Sequence, residues 1–300
     1  MSIFIVIVTF NRKLLLLECL KALQQQTLQA HCILVVDNAS TDGTIETLKL
    51  NKLLEQSNIE LLSLSENTGG AGGFSAGMKY AFDHGADYVW MMDDDAIPHV
   101  TALEELVKHI TPEHIYGSLA VNAQDTSWAT TLLPENRVVN LKSQVPDLAE
   151  VQALPFLGFL TSKEIYKKIG LPDTSYFIAA DDVEYCIRAQ QAGYKTYICG
   201  QSQIEHPMSD RYPFNFLGKQ ILCLNLVPWK RYYDTRNRLF IAKKYYGLRF
   251  YTQTLPASFL RLFAALLNEK NQLKQIRAFF AGLLDGVTGK SGKRHDYWNL

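Results

Sequence analysis

Three consecutive carboxylates, Asp93, Asp94 and Asp95, follow the apolar run YVWMM at residues 88–92. Neighbouring negative charges repel one another, most strongly where the effective dielectric is low, so this cluster needs a counter-charge. A divalent cation supplies one, and carboxylate oxygens are ligands that magnesium and manganese prefer. Such an ion can also bridge a diphosphate, which Arg12 would help to hold. The alternative is a solvated acidic turn that caps a helix over residues 100–110.

A glycine-rich stretch, ENTGGAGGF, contains Gly69, Gly70, Gly72 and Gly73 between a predicted strand and a predicted helix. Glycine permits close backbone approach, and the N-terminus of a following helix favours anionic groups. The stretch is neither G-x-G-x-x-G nor a P-loop, because it lacks that spacing and the P-loop lysine. It predicts either a diphosphate-binding loop or a flexible turn.

Three more positions carry groups that do chemistry at sites. Asp182, with Asp181 before it, begins a predicted helix, and a carboxylate held in a cleft can take a proton from an attacking hydroxyl. A helix cap is the alternative. Asp37 ends a predicted strand, where it would contact a nucleobase or ribose, or form an Asx turn. His206 in IEHP is a lone imidazole, which is a ligand only if the other residues form a metal site.

The first third of the chain alternates continuous apolar strands with helices. This pattern predicts a parallel, doubly wound α/β sheet with both faces covered, whose ligands bind at the carboxyl ends of the strands. The predicted strands cover 3–8, 32–38, 59–64 and 87–93, and the predicted helices cover 13–26, 40–56 and 72–85. The candidate residues Thr9 and Arg12 fall at the same edge as the acid cluster.

The regular alternation of strands and helices is interrupted after about residue 122. Residues 122–150 are polar and are expected to form an insertion or flexible loop. Further strands are predicted at 154–162 and 194–200, with a helix that ends near residue 193. From about residue 210 the pattern becomes helical, basic and aromatic. We therefore predict a catalytic domain over 1–210 and a helical C-terminal region over 211–300.

Composition describes an ordinary globular protein, with 47% hydrophobic and 20% charged residues. Five cysteines without a C-x-x-C pair suggest neither a zinc site nor a disulfide framework, and they fit a reducing compartment. The N-terminus does not resemble a signal peptide, and no apolar window is long enough to span a membrane. These features predict a cytoplasmic location, with peripheral contact at the inner face of the cell membrane left open.

The net charge of zero hides an asymmetry, because residues 229–300 contain 14 Lys and Arg against 4 Asp and Glu. A basic, aromatic helix such as residues 230–244 can lie at an anionic membrane surface, so peripheral membrane contact through residues 229–300 is one expectation. The alternatives are packing on the catalytic domain and contact with a second subunit. Nucleic-acid binding is not expected, because no other motif supports it.

The ordered set VIVTFNR, VVDNASTDGT, NTGGAGGF, MMDDDAIP, DDVEYCIR and IEHP resembles the family 2 glycosyltransferases of the GT-A fold. The resemblance covers roughly residues 3–210. Within that family, GGAGGF and DDDA are similar to bacterial galactofuranosyltransferases, and the rhamnosyltransferase branch is second. The segment YYDTRNRLF at 232–240 is similar to both.

The resemblance implies a role for each matching residue. It implies Asp182 as catalytic base and Asp93, Asp95 and His206 as ligands of Mn²⁺ or Mg²⁺. The implied donor-binding residues are Thr9, Phe10, Arg12, Asp37, Asn67, Gly69, Gly70, Asp93 and Asp94. Phe156 and Phe159 stand where related enzymes carry acceptor-stacking tryptophans, and Asp181 is a further acceptor candidate.

These roles predict an inverting, metal-dependent transfer of galactofuranose from UDP-galactofuranose to a lipid-linked or growing cell-surface glycan. The first alternative is a dTDP-rhamnose-dependent rhamnosyltransferase. A sugar-phosphate nucleotidyltransferase would need a glycine-rich, basic loop after the first strand, which TFNRKLLLL does not provide. A non-catalytic nucleotide-sugar binder would not need Asp182. Homo-oligomer formation is left open.

Overall fold

The computed structural model describes residues 1–300, except for the side chain of Lys219. The chain divides into two compact units. The first unit comprises Met1–Asp173 and Asp182–Met208, and the second comprises Thr174–Asp181 and Ser209–Leu300. The second unit thus takes a short segment from within the predicted 1–210 domain. The boundary at residue 210 itself stays a prediction.

The first unit is built on one sheet with helices on its faces. Its strands are β1 (Ile3–Thr9), β2 (Cys32–Asp37), β3 (Ile59–Ser63), β4 (Tyr88–Asp93), β5 (Ile97–Pro98), β6 (His114–Asn122), β7 (Asp125–Leu132), β8 (Arg137–Leu141), β9 (Ala149–Glu150), β10 (Phe159–Ser162) and β11 (Lys195–Glu205). Its helices are α1 (Lys13–Gln24), α2 (Thr44–Leu50), α3 (Gly69–Asp83), α4 (Ala102–Val107), α5 (Lys163–Ile169) and α6 (Asp181–Gln191).

The sheet order is β3-β2-β1-β4-β10-β6-β11-β5. Strands β3, β2, β1 and β4 are parallel neighbours, and β6 pairs in parallel with β11. β10 runs antiparallel between β4 and β6. This is the predicted α/β class, with the central strands parallel and their carboxyl ends at one edge.

Both faces of β1 are buried, which is why its sequence is a continuous apolar run. Val6 and Val8 face the core formed with α3 and α6, whereas Ile5 and Ile7 face the core formed with α1 and α4. Gly72 and Gly73 lie inside α3, in agreement with the helix predicted over 72–85, but α3 begins at Gly69, so Gly69 and Gly70 are helical in place of the predicted loop or turn. A Cβ at Gly73 would lie 2.5 Å from Val8 Cγ1, so glycine is required for this helix to approach the sheet.

Two further predictions about secondary structure were wrong. Residues 122–150 contain the antiparallel hairpin β7–β8, which extends the sheet, in place of the predicted loop. The β-branched residues in DTSWATTL favour a strand despite their polarity. The region after 210 begins with a second hairpin, β12 (Arg211–Phe216) and β13 (Lys219–Leu224), before the helices start.

The second unit contains that hairpin and the helices α7 (Pro228–Tyr245), α8 (Leu255–Asn268) and α9 (Gln272–Thr288), with a π-helical segment at Phe250–Thr254. The predicted surface helix over 230–244 is part of α7, and the structure corrects its placement. Tyr232, Tyr233 and Arg236 are fully buried, and α7 packs against α9. Arg231 and Arg236 are buried and have partners: Arg231 bonds Glu269, and the Arg236 guanidinium lies 4.7 Å from the centre of the Tyr233 ring. Across the described residues, no helix is both long and apolar enough to cross a membrane.

Candidate active site

The ends of the adjacent parallel strands β1 and β4 bring polar side chains into direct contact. The Thr9 hydroxyl donates a hydrogen bond to Asp94 Oδ2 at 2.8 Å. Arg12 Nη1 donates to Asp95 Oδ2 at 2.8 Å and to Asp94 Oδ1 at 3.3 Å. Asp94 is buried, and its contacts orient Thr9 and Arg12. The predicted convergence of these residues at one sheet edge is present in the structure.

The acid cluster has more negative charge than its protein neighbours neutralise. The Arg12 guanidinium forms ion pairs with Asp94 and Asp95 but not with Asp93. Burial, reinforced by the charges of Asp95 and Asp94, raises the pKa of Asp93 to about 8. Burial also raises the pKa of Asp94, against the opposing hydrogen bond from Thr9. A cation bound here would relieve the repulsion that the single arginine leaves.

His206, just after β11, lies at the acid cluster as predicted. Its Nε2 is 3.7 Å from Asp95 Oδ1, and its ring meets the Trp128 ring edge-on with centroids 5.6 Å apart. Its Nδ1 is buried and has no hydrogen-bond partner. A buried ring nitrogen without a partner is costly unless a ligand completes it.

The donor chemistry of this cluster fits a divalent metal ion. Asp93 and Asp95 offer carboxylate oxygens, His206 offers an imidazole, and such mixed oxygen and nitrogen donors suit manganese or magnesium. In the described part of the chain, however, no three His, Cys, Asp or Glu side chains are arranged to hold a metal ion. Asp95 is engaged with Arg12, so binding a metal would require that ion pair to rearrange.

The start of α3 is fixed by two asparagines. Buried Asn38 donates from Nδ2 to the Gly69 carbonyl at 2.9 Å and accepts from the Thr68 backbone N–H at 2.9 Å. Asn67 Oδ1 accepts from the Gly69 N–H at 2.8 Å. Asn38 is absent from the sequence-predicted site, although its place after Asp37 at a strand end was a usable signal. The backbone of Gly69 adopts a positive φ of 72°, which glycine tolerates.

Phe10, directly after β1, and Asp37, at the end of β2, are the other predicted donor-binding residues. Asp37 is buried and its Oδ1 accepts from the N–H of Ser40, three residues further along, at 3.2 Å, which holds the loop after β2. Phe10 is 40% exposed. The bond to Ser40 accounts for one carboxylate oxygen of Asp37, and the donor-binding roles of Asp37 and Phe10 stay predictions.

Asp182 lies close enough to Asp93 for its charge to raise the Asp93 pKa. Its Oδ1 accepts a hydrogen bond from the Val183 N–H at 2.7 Å. Helix α6 is anchored by Tyr185 and Cys186, which are fully buried in the core beside α3. The predicted base is therefore carried by a firmly packed helix and lies in the electrostatic field of the acid cluster.

Phe156 and Phe159 are core residues. Phe156 is 4% exposed and Phe159 is fully buried, with their rings edge-on at 5.0 Å. Both rings also contact Tyr185 edge-on at 5.9 Å. A buried ring cannot stack on an acceptor sugar, so we assign both a packing role in place of the predicted acceptor role.

Within the second unit, α7 holds the segment Thr174–Asp181 through two buried polar side chains. Asn237 Nδ2 lies 2.7–3.0 Å from the carbonyl oxygens of Tyr176, Ile178 and Ala179. Arg236 Nη2 donates to the Tyr176 carbonyl at 2.8 Å. Both residues belong to the motif YYDTRNRLF, but no specific role is predicted for either of them from the sequence. Asp181, which ends this segment, is itself buried.

Comparison with known proteins places these features in a family. The family model described as Glycosyl transferase family 2 matches residues 4–170. The dTDP-rhamnosyl transferase RfbF of Shigella flexneri is 24% identical over 302 residues, which cover 97% of each chain. The galactofuranosyltransferase GlfT1 of Mycobacterium tuberculosis is 29% identical over 253 residues, covering 80% of this chain and 82% of GlfT1.

Solved structures show the same fold. GalNAc-T7 superposes with a TM-score of 0.62 and 16% identity, over 96% of this chain and 58% of that chain. The mannosyltransferase PcManGT of Pyrobaculum calidifontis gives a TM-score of 0.58 and 15% identity, over 96% of this chain and 88% of that one. These similarities confirm the predicted GT-A fold. The chain belongs to glycosyl transferase family 2 and is an enzyme, a hexosyltransferase.

Proposed function

We propose that the protein is an inverting, metal-dependent galactofuranosyltransferase that uses UDP-galactofuranose and a lipid-linked or growing cell-surface glycan. The observation that carries the proposal is the incompletely neutralised cluster of Asp93, Asp94 and Asp95 beside Arg12 and the unpartnered Nδ1 of His206. The relative GlfT1 is a galactofuranosyltransferase. Two neighbours of the same fold were solved with Mn²⁺, one with UDP and one with GDP-Man.

In the proposed site, Asp93, Asp95 and His206 hold the divalent ion, and Thr9, Phe10, Arg12, Asp37, Asn67, Gly69, Gly70, Asp93 and Asp94 surround the donor. A bound ion would supply Lewis acidity and positive charge for the diphosphate. Arg12, whose side chain is half-exposed, places a second positive charge beside the same acids.

Asp182 supplies the base of the proposed reaction. It takes the proton of the acceptor hydroxyl while that oxygen attacks the anomeric carbon, and the bond from this carbon to the diphosphate oxygen breaks. Attack from the opposite face inverts the anomeric centre in one displacement. The proton ends on Asp182, and the leaving group departs as the nucleoside diphosphate. Asp181 stays the acceptor-side candidate of this proposal.

The proposed location is the cytoplasm. All five cysteines, at positions 19, 32, 186, 199 and 223, are free and buried, which suits a reducing compartment. Nucleotide-sugar donors are the proposed partners there, and no observation favours nucleic acid.

Rhamnosyl transfer from dTDP-rhamnose is the second candidate, because RfbF matches this chain over nearly the full length of both. Thermal-shift measurements separate the two donors. We expect UDP-galactofuranose with Mn²⁺ to raise the Tm, in line with the roughly 2.7 kcal/mol that a ligand at 100 times its Kd contributes. UDP-galactopyranose and each donor without metal are the controls.

The outcomes of this thermal-shift screen distinguish the donor sugar and the metal requirement. Stabilisation by dTDP-rhamnose alone would assign rhamnosyl transfer. Equal stabilisation by UDP-galactofuranose with and without Mn²⁺ would remove the metal from the proposal. No shift with either donor would reject both.

Two glycines of α3 provide a paired test of the donor site. A Cβ at Gly70 meets nothing within 4 Å, whereas one at Gly73 meets Val8. We expect Gly73→Ala to lower the free energy of unfolding by about 1–3 kcal/mol through overpacking. Gly70→Ala should not lower the Tm, because alanine fits this helical position, but it should weaken donor binding if its methyl group enters the proposed diphosphate site. Thermal unfolding and donor titration measure the two effects, and equal behaviour of the variants would contradict this assignment.

A further inference from the structure

Helices α8 and α9 of the second unit expose a continuous apolar surface. On α8, Phe259, Phe263 and Leu267 follow one another at four-residue spacing and are 46–63% exposed. On α9, the residues Phe280, Leu284 and Val287 are 45–52% exposed. The Phe259 ring lies 6.5 Å from the Phe280 ring, so the two stripes meet. We call these six residues the α8–α9 face.

This face extends the apolar surface that folds the second unit, where Phe259 contacts buried Phe279 and Phe263 contacts buried Phe214. Helix α8 already buries Ser258, Leu262, Ala264 and Ala265, and α9 buries Ala278, Phe279 and Ala281. A helix that packs against one core needs one apolar stripe, with polar residues on its other side. The exposed stripes therefore indicate contact with something outside the chain.

The charges around the face are one-sided. Lys270, Lys274 and Arg277, between the end of α8 and the second turn of α9, are all exposed. The acids of residues 229–300 do not balance them. Asp234 pairs with Arg238, and exposed Asp296 pairs with Lys293. The other two acids, Glu269 and Asp285, have side chains that are at most 3% exposed, and they pair with Arg231 and Arg294. The surface next to the α8–α9 face is thus basic.

We propose that the α8–α9 face binds the surface of an anionic lipid bilayer. Aromatic and aliphatic side chains enter the boundary between headgroups and acyl chains, and basic residues contact the anionic headgroups. A second copy of the chain is disfavoured as the occupant, because pairing this face with itself would bring together two regions that each contain 14 Lys and Arg against 4 Asp and Glu. The proposal narrows the membrane contact left open for residues 229–300 to one face of α8 and α9, and it holds whichever sugar the protein transfers.

Vesicle co-sedimentation of the full chain tests the proposal. Vesicles of phosphatidylcholine with 30% phosphatidylglycerol, about a third anionic lipid, are compared with phosphatidylcholine vesicles at low and high NaCl. We expect binding to the anionic vesicles at low salt and weaker binding at high salt. The double variant Phe263→Gln/Leu267→Gln and the double variant Lys274→Glu/Arg277→Glu should each reduce the bound fraction at least about tenfold.

The matched control is Lys49→Glu/Leu50→Gln, which makes the same kinds of change at exposed residues of the first unit. It should bind like the wild type, and both it and Lys274→Glu/Arg277→Glu should keep the wild-type Tm because the substituted residues are exposed. Phe263→Gln/Leu267→Gln should have a lower Tm, because Phe263 contacts the buried Phe214 ring edge-on at 6.0 Å, so binding is measured below its unfolding transition. Absence of binding to anionic vesicles at low salt would overturn the proposal, and so would equal binding by all variants. Concentration-dependent dimers in light scattering that disappear with Phe263→Gln/Leu267→Gln would assign the face to a second copy instead.

Discussion

Replacing Asp182 with asparagine should lower the rate of sugar transfer by about 10²–10⁴-fold, the usual contribution of a general base. Asparagine keeps the shape of the side chain and its hydrogen bond with the Val183 N–H, but it cannot accept the proton of the acceptor hydroxyl. Donor affinity should stay near the wild-type value. The Tm should not fall, because the substitution removes a negative charge that bears on Asp93.

The measurement is the initial rate of UDP release from UDP-galactofuranose with acceptor present, together with donor titration in its absence. Asp83→Asn is the matched control, since Asp83 is an exposed acid of the same unit that pairs with Lys79. A variant at Asp182 with the wild-type rate would eliminate it as the base. A variant that lost donor affinity instead would place Asp182 on the donor side of the site.

The sequence predicted the central sheet well because the information is local. The continuous apolar runs of β1, β2 and β4 mark strands buried on both faces, and the polar residues after them mark the carboxyl edge. Thr9, Arg12 and the acids at 93–95 could therefore be assigned to one edge before any contact was known.

The predictions that failed depend on contacts between distant parts of the chain. Helix α3 begins at Gly69, earlier than the predicted start at 72, and the need for glycine at position 73 comes from Val8 of β1, which lies 65 residues earlier in the chain. Phe156 and Phe159 are buried because Tyr185 of α6 covers them. The basic, aromatic helix α7 is a core helix because buried Glu269 pairs with Arg231, a partnership that charge counting cannot reveal.

The role of Asn237 likewise depends on distant contacts, because its partners Ile178 and Ala179 lie 59 and 58 residues earlier in the chain. The segment it holds contains three non-glycine residues with positive φ, Phe177, Ala179 and Ala180. Each such residue costs roughly 1–2 kcal/mol relative to ordinary backbone, so the segment needs outside support to keep its conformation. The Asn237 amide provides it, because it bonds the Ile178 and Ala179 carbonyls directly.

We expect Asn237→Ala to lower the rate of transfer by about 10²-fold, the effect of misplacing a reacting group by about 1 Å. The segment that would lose its support leads directly into Asp181 and Asp182. The donor KM should change little, because Asn237 has no role in donor binding in the proposed site. Unsatisfied carbonyls should also lower the free energy of unfolding by about 1–3 kcal/mol.

Glu269→Gln separates positioning from general destabilisation. It removes the charge that Arg231 pairs with in the same unit, and breaking a buried pair costs about 3–5 kcal/mol, which exceeds the cost expected for Asn237→Ala. Yet Glu269 makes no hydrogen bond to residues 174–181 among its described partners. Assayed well below both unfolding transitions, Glu269→Gln should keep its rate while Asn237→Ala loses it. If both variants lost transfer activity to the same extent, Asn237 would have only a structural role. A positioning role predicts the opposite pattern, in which Asn237→Ala, the less destabilising substitution, causes the larger loss of rate.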